Sequence, residues 1–255
     1  MGHLRLSRLP RTHRWKRVIE LLADGATAEE LAHETYWAAY TGLGRVPQDI
    51  GFTETLTTIF GFIDALQSKS PDASLRTAGF SLPSSPSLFD YVNAFKEKAT
   101  AAAAKARARS DIAEIAQDSF TKVLVNQTAS ASQTLFGFDP AQARQALQAN
   151  LKSSMLGHTM HEFFASFTSH YLNYYLGREL PYHVGHGKAF ANIKEHSDFS
   201  RAFDLHVRQT VRIADEFTPG WFGKARWEGR LSHKDVSQFA HIAFKKIRSE
   251  FRRSV

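Results

Sequence analysis

Residues 139–177 read DPAQARQALQANLKSSMLGHTMHEFFASFTSHYLNYYLG, and this stretch decides the fold class. Asp139 is a good helix N-cap. Pro140 sits at the first helical position, where its missing N–H costs nothing. Gly177 suits the left-handed turn that ends a helix, and Pro181 follows it. Inside the stretch only Gly157 argues against helix, as the place for a kink. A continuous helix of this length spans roughly 55 Å at 1.5 Å per residue. Leu156, Met160, Phe163, Phe164, Phe167, Tyr171 and Tyr174 recur on it three and four apart. Such a stripe calls for other helices packed against it, so a long central helix is expected.

The same start and stop signals recur on both sides. Residues 1–10 read as an arm. Thr12 then caps a helix that runs to about Ala23, and Gly25 ends it. Thr27 and Glu30 form a capping box for the next helix. Thr53 starts a helix bearing Leu56, Ile59, Phe60, Ile63 and Leu66. Residues 70–87 hold Pro71, Pro83 and Pro86 among many serines, so they read as a surface connection with one helical turn. Ser87 and Asp90 form a second capping box. Helix is expected from Leu88 to about Thr128, through the alanine run at 101–104. Residues 130–138 are a break. Beyond Gly177, a helix starts at Ser197 or Asp198 and runs to about Phe217. Residues 218–230, TPGWFGKARWEGR, read as a loop. Ser232 and Asp235 form a third capping box, which opens the last helix. No strand pair or hairpin signal interrupts the series. The reading is an all-α assembly of about seven or eight helices packed around the long central one. It forms a single helical unit over 1–255, with an N-terminal lobe at 1–130 and a C-terminal lobe at 139–255.

Composition narrows the function classes. Hydrophobic residues make up 43% of the 255 and charged residues 22%, which excludes wholesale disorder. Phenylalanine, at 20 residues against 3 Met, is the main core filler. The absence of cysteine excludes disulfides, cysteine-ligated zinc and a cysteine nucleophile, and it fits a cytoplasmic address. No apolar run is long enough for a transmembrane helix. The first 17 residues lack the apolar stretch of a secretory signal.

Charge is distributed unevenly. The first 17 residues carry six basic residues and no acid. Residues 178–255 carry 15 basic and 9 acidic residues, while residues 18–177 carry 11 basic and 16 acidic. Two arrangements satisfy this pattern. The basic ends could dock on the acidic body, or they could converge on one face that meets a polyanion. Within the C-terminal block, Trp221, Phe222 and Trp227 alternate with Lys224, Arg226 and Arg230, and the last helix presents Lys245 and Lys246. If exposed, this aromatic-basic set suits nucleic acid, a protein partner or an anionic membrane surface. If buried, the rings fasten the last helices together.

Other residues permit chemistry. His158 and His161 lie three apart with Glu162 beside them, so they could share a helix face and a divalent metal ion. The Glu30-x-x-His33 pattern has the form used in carboxylate-bridged bundles, but it has no second copy. His183, His186 and Lys188 lie among Gly185 and Gly187, where backbone and donors could approach an anion. In each case the plainer reading is interhelical hydrogen bonding or exposure to solvent. No nucleophile elbow or phosphate-binding loop is present. The leading expectation is therefore a soluble, non-enzymatic binding or scaffold protein with no cofactor. Nucleic acid is its first candidate partner and another protein the next, and homo-oligomers are compatible. A metal- or His-dependent enzyme and an anionic-membrane binder are the alternatives.

Overall fold

The computed structural model of the protein describes residues 12–132, 140–229 and 231–253. The arm, the Asp139 cap, Arg230 and most of the 130–138 break lie outside the described residues. Within them the chain forms eleven α-helices and no strand. These are α1 (His13–Ala23), α2 (Ala28–Leu43), α3 (Ile50–Leu66), α4 (Pro71–Thr77), α5 (Leu88–Lys105), α6 (Asp111–Ser132), α7 (Pro140–Asn150), α8 (Leu156–Leu176), α9 (Ile193–Thr210), α10 (Ile213–Trp227) and α11 (His233–Arg253). No helix among the described residues is long and apolar enough to cross a membrane.

The capping signals are realised as hydrogen bonds. Thr27 accepts from the Glu30 N–H, while Glu30 accepts from the Thr27 N–H at 3.0 Å. Ser87 and Asp90 repeat the arrangement at the start of α5. Ser232 and Asp235 pair across the start of α11.

The helix count exceeds seven or eight because three expected helices divide and α4 adds a short one. The expected 88–128 helix ends at Lys105. Arg107 adopts a positive φ of 54° there, and Ala108 N–H reaches back to the Ala103 carbonyl at 2.8 Å. That closure satisfies the end of α5 without a glycine. Ser110 then caps α6 through the Ala113 N–H and donates to Asp49 at 3.1 Å. Packing against the start of α3 thus overrides the alanine propensity.

The 139–177 stretch is not one helix. It breaks at residues 151–155, ahead of Gly157. Carbonyls released at the end of α7 find side-chain donors. Thr159 donates to the Asn150 carbonyl at 3.2 Å, and Gln67 donates to that of Leu151 at 2.9 Å. With these groups satisfied, the turn costs little. The 197–217 helix likewise divides. α9 starts earlier, on an Asn192 cap, and α10 follows after a tightened turn at Val211 and Arg212.

The buried residues form one cluster from Trp15 to Phe251. α3 and α8 are buried on most sides, with twelve of 17 and fifteen of 21 residues inside. α8 packs against α2, α6, α9 and α10. Phenylalanine rings join the layers. Phe163 of α8 meets Phe52 of α3 and Phe120 of α6, and Phe239 of α11 meets Phe60, Phe164, Phe217 and Trp221.

Candidate functional site

Arginines of α1 and α11, one helix from each basic end of the sequence, meet on α2. Thr12 caps α1 by accepting from the Trp15 N–H at 3.2 Å, and this sets Arg14 in the first turn. The Arg14 guanidinium lies over the Trp37 ring, 5.7 Å from its centroid. Arg252 of α11 lies over the same ring, also at 5.7 Å. Arg248, one turn earlier on α11, lies 4.6 Å from the centroid of Tyr40. His241, Lys245, Arg248 and Arg252 recur at helical spacing, so they form one stripe along α11. Among the described residues, Arg14, Arg248 and Arg252 have no carboxylate partner; nearby Arg17 and Arg253 pair with Glu20 and Glu250. A guanidinium over an aromatic face gains a cation–π attraction and is held in orientation.

The indole at the centre of this face is itself fixed. Trp37 Nε1–H donates to His33 Nε2 at 2.8 Å, so that nitrogen carries no proton. Burial holds the His33 pKa below the ordinary imidazole value, against an opposing pull from Glu34. Glu30 is engaged by Thr27, so the Glu30-x-x-His33 pattern is divided between a helix cap and a tryptophan anchor. A stability prediction follows from linkage. The unfolded chain protonates this imidazole more readily than the folded one, so stability is lost as pH falls through about 6.5. His170, also depressed by burial, acts with the same sign. The unfolding midpoint should be lower at pH 5.5 than at 7.5, and His33→Gln with His170→Gln should shrink that difference. Equal differences in wild type and double variant would refute the assignment.

The aromatic-basic segment is not a loop. Residues up to Trp227 belong to α10, which runs through Pro219 despite the missing hydrogen bond. Burial against α3 and α11 outweighs that loss. Phe222 is buried on Phe60, and half-buried Trp221 packs on Phe60 and Phe239. Arg226 pairs with Asp64 at 2.7 Å and with Gln67 at 2.8 Å. Lys224 is exposed, and Trp227 is 90% exposed at the helix end. Arg230 lies outside the described residues. On α11, Lys245 and Lys246 are exposed, and Lys246 lies over Phe217 at 5.6 Å.

The α8 histidines face a different region. A cleft of about 720 Å³ is lined by residues of α6, α8 and α9, among them Lys122, His158, Glu162, His170, Asp204 and Arg208. His158 is exposed at this cleft, whereas His161 is only 8% exposed. His161 Nε2–H donates to the Arg208 carbonyl at 2.7 Å. The Arg208 guanidinium closes on the Glu162 carboxylate. His183, His186 and Lys188 lie on a loop fastened by Phe190 N–H to the His183 carbonyl at 3.0 Å, with His186 and Lys188 exposed.

No family model, curated protein or solved structure matches this chain. Its function has to be argued from these arrangements. Spacing along the sequence points to Lys245 on the last helix, but it does not single out Trp37 or Tyr40. The pairing of residue 14 with residue 252 has no signature in local spacing.

Proposed function

We propose that the protein binds nucleic acid, without catalysis, by gripping the phosphate backbone with the face where α1 and α11 meet on α2. One observation carries this reading: Arg14 from the N-terminal basic block and Arg252 from the C-terminal one lie over the same Trp37 ring. A guanidinium laid on a ring keeps its N–H donors at the edge, where phosphate oxygens can accept them. Arg248 over Tyr40 and exposed Lys245 extend the cationic stripe along α11. A membrane surface is less well suited. Trp37 and Tyr40 are half-buried beneath their guanidiniums and do not project to insert between lipids.

The test is fluorescence anisotropy with a labelled 20-base-pair duplex between 50 and 200 mM salt. Wild-type affinity should fall steeply with salt, by counterion release. The triple variant Arg14→Gln, Arg248→Gln, Arg252→Gln should flatten the log–log slope by about 0.9 for each phosphate it no longer neutralises. An unchanged slope in the triple variant would sink the assignment of this face. Wild-type protein that binds anionic vesicles or a protein partner but no duplex would sink the nucleic-acid reading itself.

A further inference from the structure

Gly157 and Pro219 bring α8 and α10 unusually close. A Cβ at Gly157 would lie 2.4 Å from the Asp215 carbonyl oxygen and 2.3 Å from its Oδ1. Only glycine allows that approach. Pro219, four residues beyond Asp215, has no N–H to offer the Asp215 carbonyl, which is left facing α8. Asp215 is thereby carried beside the first turn of α8, where His158 and His161 stand three residues apart. One ligand atom from each of these three side chains lies within 4.8 Å of the other two. Among the described residues this is the one such group of three.

The geometry points to a divalent transition-metal site formed by His158, His161 and Asp215, beside the cleft that His158 lines. The ligand chemistry is two imidazoles and one carboxylate. That set suits zinc and its first-row neighbours, and it disfavours magnesium and calcium, which take oxygen ligands. The supporting groups follow the usual pattern of a metal-bound histidine. Nε2–H of His161 is committed to the Arg208 carbonyl, which fixes the tautomer and leaves the Nδ1 lone pair for an ion. Arg208 also draws off the Glu162 carboxylate, which sits 3.6 Å from His161 Nδ1. A single residue of α9 thus orients one ligand and occupies a competing acid. Among the described residues the Asp215 carboxylate makes no hydrogen bond or ion pair.

Three protein ligands leave at least one coordination position open, as in sites that take water or a substrate. Of the three ligands, exposed His158 lines the cleft, whose other charged residues are Lys122 and Arg208 against Glu162 and Asp204. The site rests on residues separate from the Trp37 face, and either can stand without the other.

The test uses the full chain and zinc chloride alone, with native mass spectrometry for stoichiometry and calorimetric titration for affinity. Wild type should take up one zinc ion, and zinc should raise its unfolding midpoint. His158→Ala and Asp215→Asn should each weaken binding at least tenfold and abolish that rise. Neither residue is part of the apolar core, so each variant should keep the metal-free midpoint of wild type. A cobalt(II) derivative should show ligand-field absorption in wild type that both variants lose. His183→Ala with His186→Ala should leave all of this unchanged. No zinc uptake by wild type would overturn the inference. So would uptake unaffected by His158→Ala and Asp215→Asn, or uptake lost only in the loop variant.

Discussion

Replacing Phe163 with alanine will cost the protein about 3–5 kcal/mol of stability, the range for truncating a fully buried aromatic. The ring is 0% exposed. It stands where three helices meet: Phe52 of α3 at 6.3 Å, Phe120 of α6 at 6.4 Å, and Phe164 and Phe167 of α8 at 5.1 and 6.3 Å. Those neighbours are anchored in turn. Phe52 also packs on Phe244, and Phe120 on Phe95. Each is therefore held from its far side and cannot collapse into the space. The cavity persists, and its cost adds to the lost transfer energy. For a chain of this size the loss lowers the unfolding midpoint by roughly 6–20 °C. Ile193→Ala is the control, because Ile193 is 78% exposed and should change stability by no more than about 0.5 kcal/mol. Chemical denaturation read by circular dichroism measures both. Equal losses in the two variants would mean that Phe163 is not held in a rigid aromatic junction.

Local signals were legible in the sequence, and contacts between distant segments were not. Thr27, Ser87 and Ser232 announced helix starts because capping involves residues only three apart. Division of the 88–128 helix was hidden. It depends on Arg107 taking a left-handed conformation and on Ser110 reaching Asp49, while the alanines nearby favour helix. The break at 151–155 was hidden for a similar reason, since Gln67, 84 residues away, supplies the donor to the Leu151 carbonyl. Residues 218–227 mislead for the opposite reason. Pro219, Gly220 and Gly223 look like loop punctuation, but burial of Trp221 and Phe222 holds them in helix. The same division applies to the candidate sites. His158 and His161 were visible as a pair at helical spacing. Asp215 was not, because its place beside them depends on how closely α10 can approach α8. The imbalance of charge told that the ends were basic, and nothing in it told that Arg14 and Arg252 would share one indole.

That close approach makes Gly157→Ala the sharpest test of the architecture. In an ordinary helix the change is favourable, because alanine has the higher helix propensity by about 1 kcal/mol. Here it should destabilise by about 1–3 kcal/mol, the usual cost of forcing extra volume into a filled space. The nearest obstacle, Asp215 Oδ1, is a side-chain atom that could swing aside, but the Asp215 backbone carbonyl behind it could not. The new methyl would meet the Asp215 carbonyl at 2.4 Å and Pro219 Cγ at 3.1 Å, so α10 as a whole has to move. Gly61→Ala provides the comparison, since a Cβ there meets nothing within 4 Å on α3. It should be neutral or stabilising by up to about 1 kcal/mol. Opposite signs for one substitution at two helical glycines can come only from what surrounds them. If both raise the midpoint, α8 and α10 do not touch at Gly157. Movement of α10 also draws the Asp215 carboxylate away from His158 and His161, so Gly157→Ala should bind zinc more weakly while Gly61→Ala binds it as wild type does. Loss of stability with zinc affinity unchanged would separate the helix packing from the metal site and leave only the first standing.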